Sequence, residues 1–81
     1  MAGALHSPKY KLFRESILQL RKDAGVSQAE LSARLGRPQS FVSKYESGER
    51  RLDVVEFLEV CEALKADPKL IISGLLKGGV K

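Results

Sequence analysis

Apolar residues in this chain recur at three- and four-residue intervals. Phe13, Ile17, Leu20 and Ala24 form the first such stripe. That spacing is the period of an α-helix with one buried face. Ser7-Pro8 reads as a cap and first helical residue, and Gly25 as a stop, so the pattern predicts a helix over Pro8–Ala24. Leu31 and Leu35 mark a second helix over about Gln28–Leu35. Ser27 can cap it, and Glu30 stands three residues on, where a capping box needs it. Gly36 follows at once, able to take the left-handed conformation that ends a helix and turns the chain. Pro38 suits a helix start, and Val42 and Tyr45 give the third helix, Pro38–Ser47, its apolar stripe. Gly48 ends it. Asp53 with Glu56 three residues later predicts the cap of a fourth helix running to about Lys65. Its buried face should hold Val54, Phe57, Leu58, Cys61 and Leu64. Asp67-Pro68 repeats the cap-and-proline signal for a fifth helix, Pro68–Leu76, stopped by Gly78-Gly79. No stretch competes as a strand. The expected fold is all-α, five short helices around one core. Residues 8–77 form the domain, with an N-terminal tail over 1–7 and a C-terminal tail over 78–81.

Helices two and three, joined by the tight turn at Gly36, have the shape that places a second helix in the DNA major groove. The segment Ser27–Arg51, SQAELSARLGRPQSFVSKYESGERR, resembles the Cro/repressor-type helix-turn-helix family, also called the xenobiotic-response-element family. The matching residues are Gln28, Ala29, Leu31, Leu35, Gly36, Ser40, Val42, Ser43, Glu46 and Gly48. The likeness extends from about Phe13 to Leu76. Some positions depart from it: Ser32 stands where alanine is usual, Pro38 where a capping serine or threonine is common, and Lys65 where glycine ends the fourth helix.

The resemblance implies a site. Base-reading positions at the start of the third helix and one turn later correspond to Gln39, Ser40 and Lys44, with Ser43 beside them. Glutamine can hold adenine N6/N7, and lysine can donate to guanine O6/N7. Gln28 corresponds to a phosphate-binding residue opening helix two, with Ser27 next to it. Arg37 in the turn, and Arg50 and Arg51 after helix three, suit phosphate contacts that fix register. Arg21 and Glu46 correspond to a partly buried salt bridge tying helix three to helix one. Phe41 stands where a small or polar residue is usual. It either packs towards helix two or offers an apolar surface to a thymine methyl.

Charge supports that side of the chain. The net charge is +4, but residues 1–51 hold ten Lys/Arg against five Asp/Glu, while residues 52–81 hold four against five. The basic part contains the helix-turn-helix, the sign expected of a surface that faces phosphates. At 81 residues there is room for one small domain, which dimerisation would help to stabilise. Helix five is rich in large apolar residues. Ile72, Leu75 and Leu76 are the expected interface of a homodimer that binds a palindromic operator in double-stranded DNA, one half-site per protomer.

Enzyme chemistry is not expected. The single histidine, His6, lies in the tail, so no serine–histidine–acid set forms. Cys61 is lone and falls on a buried helical face. Glu56, Glu59 and Glu62 read as a solvated acidic face without histidine, so no metal is expected, and no cofactor. No apolar run is long enough to span a membrane, no signal-peptide pattern opens the chain, and a cytoplasmic location is expected. The reading is a small transcriptional regulator, a repressor by analogy. The alternative is an antitoxin-like or adaptor module whose partner is a protein.

Overall fold

Five helices follow one another through residues 7–78, the part of the chain that the computed structural model describes. They are α1 (Pro8–Asp23), α2 (Gln28–Arg34), α3 (Ser40–Ser47), α4 (Val54–Leu64) and α5 (Pro68–Gly78). No strand occurs among the described residues, and the fold is all-α. Of the expected tails, 1–7 and 78–81, residues 1–6, with His6, and 79–81 lie outside those residues; α5 runs past the expected end at Leu76 to Gly78.

Most helix starts are capped by the side chains the sequence marks. Ser7 Oγ accepts from the Tyr10 N–H at 3.1 Å, and Ser27 Oγ from the Glu30 N–H at 3.0 Å. Glu30's carboxylate turns to Arg34, 2.9 Å away on the surface. Asp53 and Glu56 complete a reciprocal capping box, with bonds of 2.7 and 3.1 Å. The third helix differs from expectation. It begins at Ser40, not Pro38, and Gln39 before it is already in the right-handed helical region with no side-chain cap. Pro38 instead forms a turn, its carbonyl accepting from the Phe41 N–H at 2.9 Å.

Gly36 takes φ +66° in the turn between α2 and α3. Gly48 takes φ +88° at the end of α3, and a Cβ there would lie 3.3 Å from the Arg14 guanidinium. Two separate reasons thus disfavour larger residues at position 48. Lys65, at φ +56°, ends α4 in the left-handed region without glycine. That conformation costs a non-glycine residue roughly 1–2 kcal/mol.

The core holds Ile17 of α1, Val26, Leu31 of α2, Phe41, Val42 and Tyr45 of α3, Leu52, and Phe57, Val60, Cys61 and Leu64 of α4. Phe13 sits edge-on to Phe57 with ring centroids 5.2 Å apart, and Tyr10 adds its ring to Phe13. Tyr10 also accepts the Leu52 N–H at 3.1 Å, pinning the α3–α4 link to α1.

Two expectations about α4 need correction. Val54 and Leu58 are 73% and 47% exposed, while Val60 is fully buried. The buried stripe is 57, 60, 61 and 64. Leu58 lies one residue past Phe57, about 100° round the helix, and Val54 opens the helix, a turn before its first buried apolar residue. Glu56 is also not solvated: it is 8% exposed and held by arginine. α5 packs on α1 and α4 and contributes no fully buried residue among those described. Ile71 and Leu75 are half-buried, whereas Leu70, Ile72 and Leu76 remain exposed.

Candidate nucleic-acid interface

α3 presents one face to the core and the other to solvent. Phe41, Val42, Tyr45 and Glu46 are buried. Gln39, Ser40 and Lys44 are exposed and Ser43 half-buried, as spacing on a two-turn helix requires. Gln39, Ser40 and Ser43 line an open groove of about 560 Å³ with Ser27, Gln28 and Ala29 of the α2 start and with Arg21. The structure thus brings five of the candidate contact residues to one groove, with Lys44 exposed on the next turn of α3. The Ser43 hydroxyl donates to the Ser40 carbonyl at 3.0 Å, which leaves its lone pairs to accept.

Glu46 holds the back of α3. Arg21 donates from Nε and Nη2 to the two Glu46 carboxylate oxygens at 2.8 and 3.1 Å, and from Nη1 to the Val26 carbonyl at 2.8 Å. The side chains are 11% and 4% exposed. The hydrogen bond to Glu46 raises the Arg21 pKa, so the guanidinium stays charged. Gln28 Nε2 donates to the same carboxylate at 2.8 Å. Gln28 is therefore held against α3, with a second amide hydrogen still able to reach outward. Arg14 Nη1 donates to the Glu46 carbonyl at 3.0 Å, placing a cation at the negative end of α3. The Tyr45 hydroxyl is buried with no hydrogen-bond partner, and burial raises its pKa above the usual phenol value.

The arginines flanking α3 are more constrained than single surface charges. Arg50 forms a two-pronged pair with Glu56, at 2.9 and 2.7 Å. Arg37 lies 3.6 Å from Glu56 and 3.7 Å from Glu59. Both guanidinium carbons sit over the Phe41 ring, 4.8 and 4.9 Å from its centroid. The hydrogen bonds from Arg50 lower the Glu56 pKa to about 2. Phe41 is 7% exposed, so it packs under these arginines and offers no face to a base. Arg51 and Lys44 are exposed cations without such a clamp.

Four residues outside the expected site therefore matter to it. Glu56 was legible only as a capping residue, because its second role needs Arg50 and Arg37 brought beside it by the fold. Phe41 supports two arginines. Arg14 is one of several basic residues in α1, and only the approach of Gly48 singles it out. Ser32, whose buried hydroxyl bonds the Gln39 carbonyl and the Val42 N–H, carried one signal, a small polar residue on the 28–31–32–35 face that α2 buries.

The fold and this surface together define a helix-turn-helix protein. A sequence profile described as a helix-turn-helix domain matches residues 16–71. The chain is similar to an XRE-family like protein from Pseudomonas syringae pv. tomato str. DC3000. The two structures superpose with a TM-score of 0.85 at 46% identity, over 94% of this chain and 93% of that one. It is also 35% identical to the uncharacterized HTH-type transcriptional regulator y4dJ of Sinorhizobium fredii (strain NBRC 101917 / NGR234), over 67% of this chain and 70% of the relative. The chain belongs to the Cro/XRE-type helix-turn-helix family. That membership makes it a DNA-binding regulator and not an enzyme. No described helix is long and apolar enough to cross a membrane.

Proposed function

We propose that this protein represses transcription in the cytoplasm by reading an operator with α3 in the major groove. The observation that carries the reading is the outward face of α3. Gln39, Ser40, Ser43 and Lys44 face solvent together, while Glu46 is locked behind them by Arg21 and Gln28. Gln39 and Lys44 supply base-edge contacts, and the Ser40 and Ser43 hydroxyls supply shorter ones. Ser27, Gln28 and Arg51 hold phosphates and set register. Arg37 and Arg50 lend positive charge from positions fixed by Glu56, and so act more as a rim than as free phosphate ligands.

The operator is a palindrome bound by a homodimer, with half-sites about one helical turn apart. The dimer surface joins Ile72 and Leu76 of α5 to Val54 and Leu58 of α4, four apolar residues lining one groove of about 470 Å³. Leu75 faces the α1 side, beside Tyr10 and Phe13, and stabilises the protomer instead. Salt dependence of duplex binding tests the reading. Several phosphate contacts should weaken affinity steeply between low and moderate salt. Affinity for duplex DNA that ignores salt, or capture of a protein partner through α4 and α5 without DNA binding, would replace it with the adaptor reading.

A further inference from the structure

α3 has no cap of its own, yet its first turn is held. Gln39 sits at φ −54°, ψ −33°, outside the extended conformation from which a capping side chain reaches back. Pro38 has no N–H. The early N–H groups of a helix still need acceptors when buried. Phe41 finds one in the Pro38 carbonyl. Val42 finds one on another helix: its N–H donates to Ser32 Oγ of α2 at 3.3 Å. The same hydroxyl donates to the Gln39 carbonyl at 3.2 Å. A serine hydroxyl has one proton and two lone pairs, so both bonds can be made at once. Ser32 also uses its main chain: its carbonyl accepts from the Arg37 N–H at 3.0 Å. The side chain is completely buried, and water cannot take over either bond.

We propose that Ser32 is the N-terminal cap of α3, supplied from α2, and that it is a positioning residue for base reading. The proposal rests on the DNA reading of α3. Its two hydroxyl bonds bracket Gln39 to Val42, the turn from which Gln39 and Ser40 project. They fix that turn against α2, whose start forms the other wall of the groove. Base-edge recognition tolerates displacements of only about 0.5 Å, so a staple at this point acts on specificity. Alanine here removes both bonds and leaves the Gln39 carbonyl and Val42 N–H without partners. Cysteine opens no cavity, its sulfur being somewhat larger than the hydroxyl oxygen, but is a weak donor and acceptor, and so sets the lost hydrogen bonds apart from lost packing.

The test compares the full chain with its Ser32→Ala and Ser32→Cys variants, well below their melting temperatures. One arm is amide hydrogen exchange at Val42, referred to the Val60 amide in α4. The other is the affinity ratio between a duplex selected from random sequences and a mixed-sequence duplex of equal length. Both variants should speed Val42 exchange about tenfold relative to Val60 and lower the affinity ratio several-fold. A merely structural role would leave the ratio unchanged in the folded protein. If Ser32→Cys matches the parent in both arms, or Val42 exchange does not move in either variant, the cap is overturned. If exchange responds but the ratio does not, Ser32 caps α3 without positioning it for reading. A parent chain that prefers no duplex overturns the DNA reading, and the exchange arm still decides whether Ser32 caps α3.

Discussion

Replacing Glu46 by glutamine should cost this domain a large share of its stability. The carboxylate receives three N–H groups, two from Arg21 and one from Gln28, at 2.8 to 3.1 Å. Glutamine keeps the shape but turns one acceptor oxygen into a donor, so at least one bond becomes donor against donor. Arg21, 11% exposed, is left with the Val26 carbonyl and no counter-charge. Breaking a buried ion pair from one side costs about 3–5 kcal/mol. The amide oxygen that remains brings this to about 2–3 kcal/mol. A chain of this length holds roughly 4–12 kcal/mol in total. At about 4–8 °C per kcal/mol, the thermal midpoint should fall by roughly 10–20 °C. Circular dichroism at 222 nm measures it directly. Operator affinity should fall as well, because α3 loses its tether to α1. The double variant Arg21→Met, Glu46→Leu should melt above Glu46→Gln, since it strands no charge. A Glu46→Gln midpoint within about 2 °C of the parent would reduce the pair to the standing of solvated charges.

Three other outcomes are expected. Gln39→Ala and Lys44→Ala should each cost roughly 1–3 kcal/mol of discrimination at one base position, measured by affinity to single-base operator variants, whereas Arg51→Ala should weaken all duplexes alike. Glu56 has its folded pKa lowered to about 2 from 4.5, so its stabilising effect is complete above about pH 4.5 and is lost as pH falls towards 2. Urea midpoints of the parent and of Glu56→Gln should therefore converge over that window, and a gap that is constant with pH would deny the Arg50 pair its role. Ile72→Glu or Leu76→Glu should shift sedimentation from dimer to monomer and weaken operator binding with the helices intact; a parent chain that is monomeric at high micromolar concentration would leave the α4–α5 groove without a second copy.

The helices were legible in the sequence because their signals are local. Ser7, Ser27, Asp53, Gly36 and Gly48 act within a turn of themselves, and the apolar period reports burial one helix at a time. The start of α3 is not legible, because the Val42 N–H finds its acceptor on Ser32 of α2, and no local pattern reports a partner ten positions away. Val54 and Leu58 looked buried because they are apolar on a mostly apolar helix; which stripe turns inward depends on where α2 and α5 pack. Glu56 looked like a surface acid for the same reason. Its burial arises from Arg50 and Arg37 converging on Phe41, a contact no periodicity encodes. The outward residues of α3 were readable because an amphipathic helix shows both its faces at once.

Selection of bound sites from random duplex DNA by the full chain decides most directly whether α3 reads an operator. An α3 that reads an operator as a dimer enriches a motif with two-fold symmetry and half-sites about one helical turn apart. Within it, Gln39→Ala and Lys44→Ala should each relax a different base position. A folded chain that enriches no sequence, or one whose enriched motif is indifferent to both substitutions, would contradict that reading by α3.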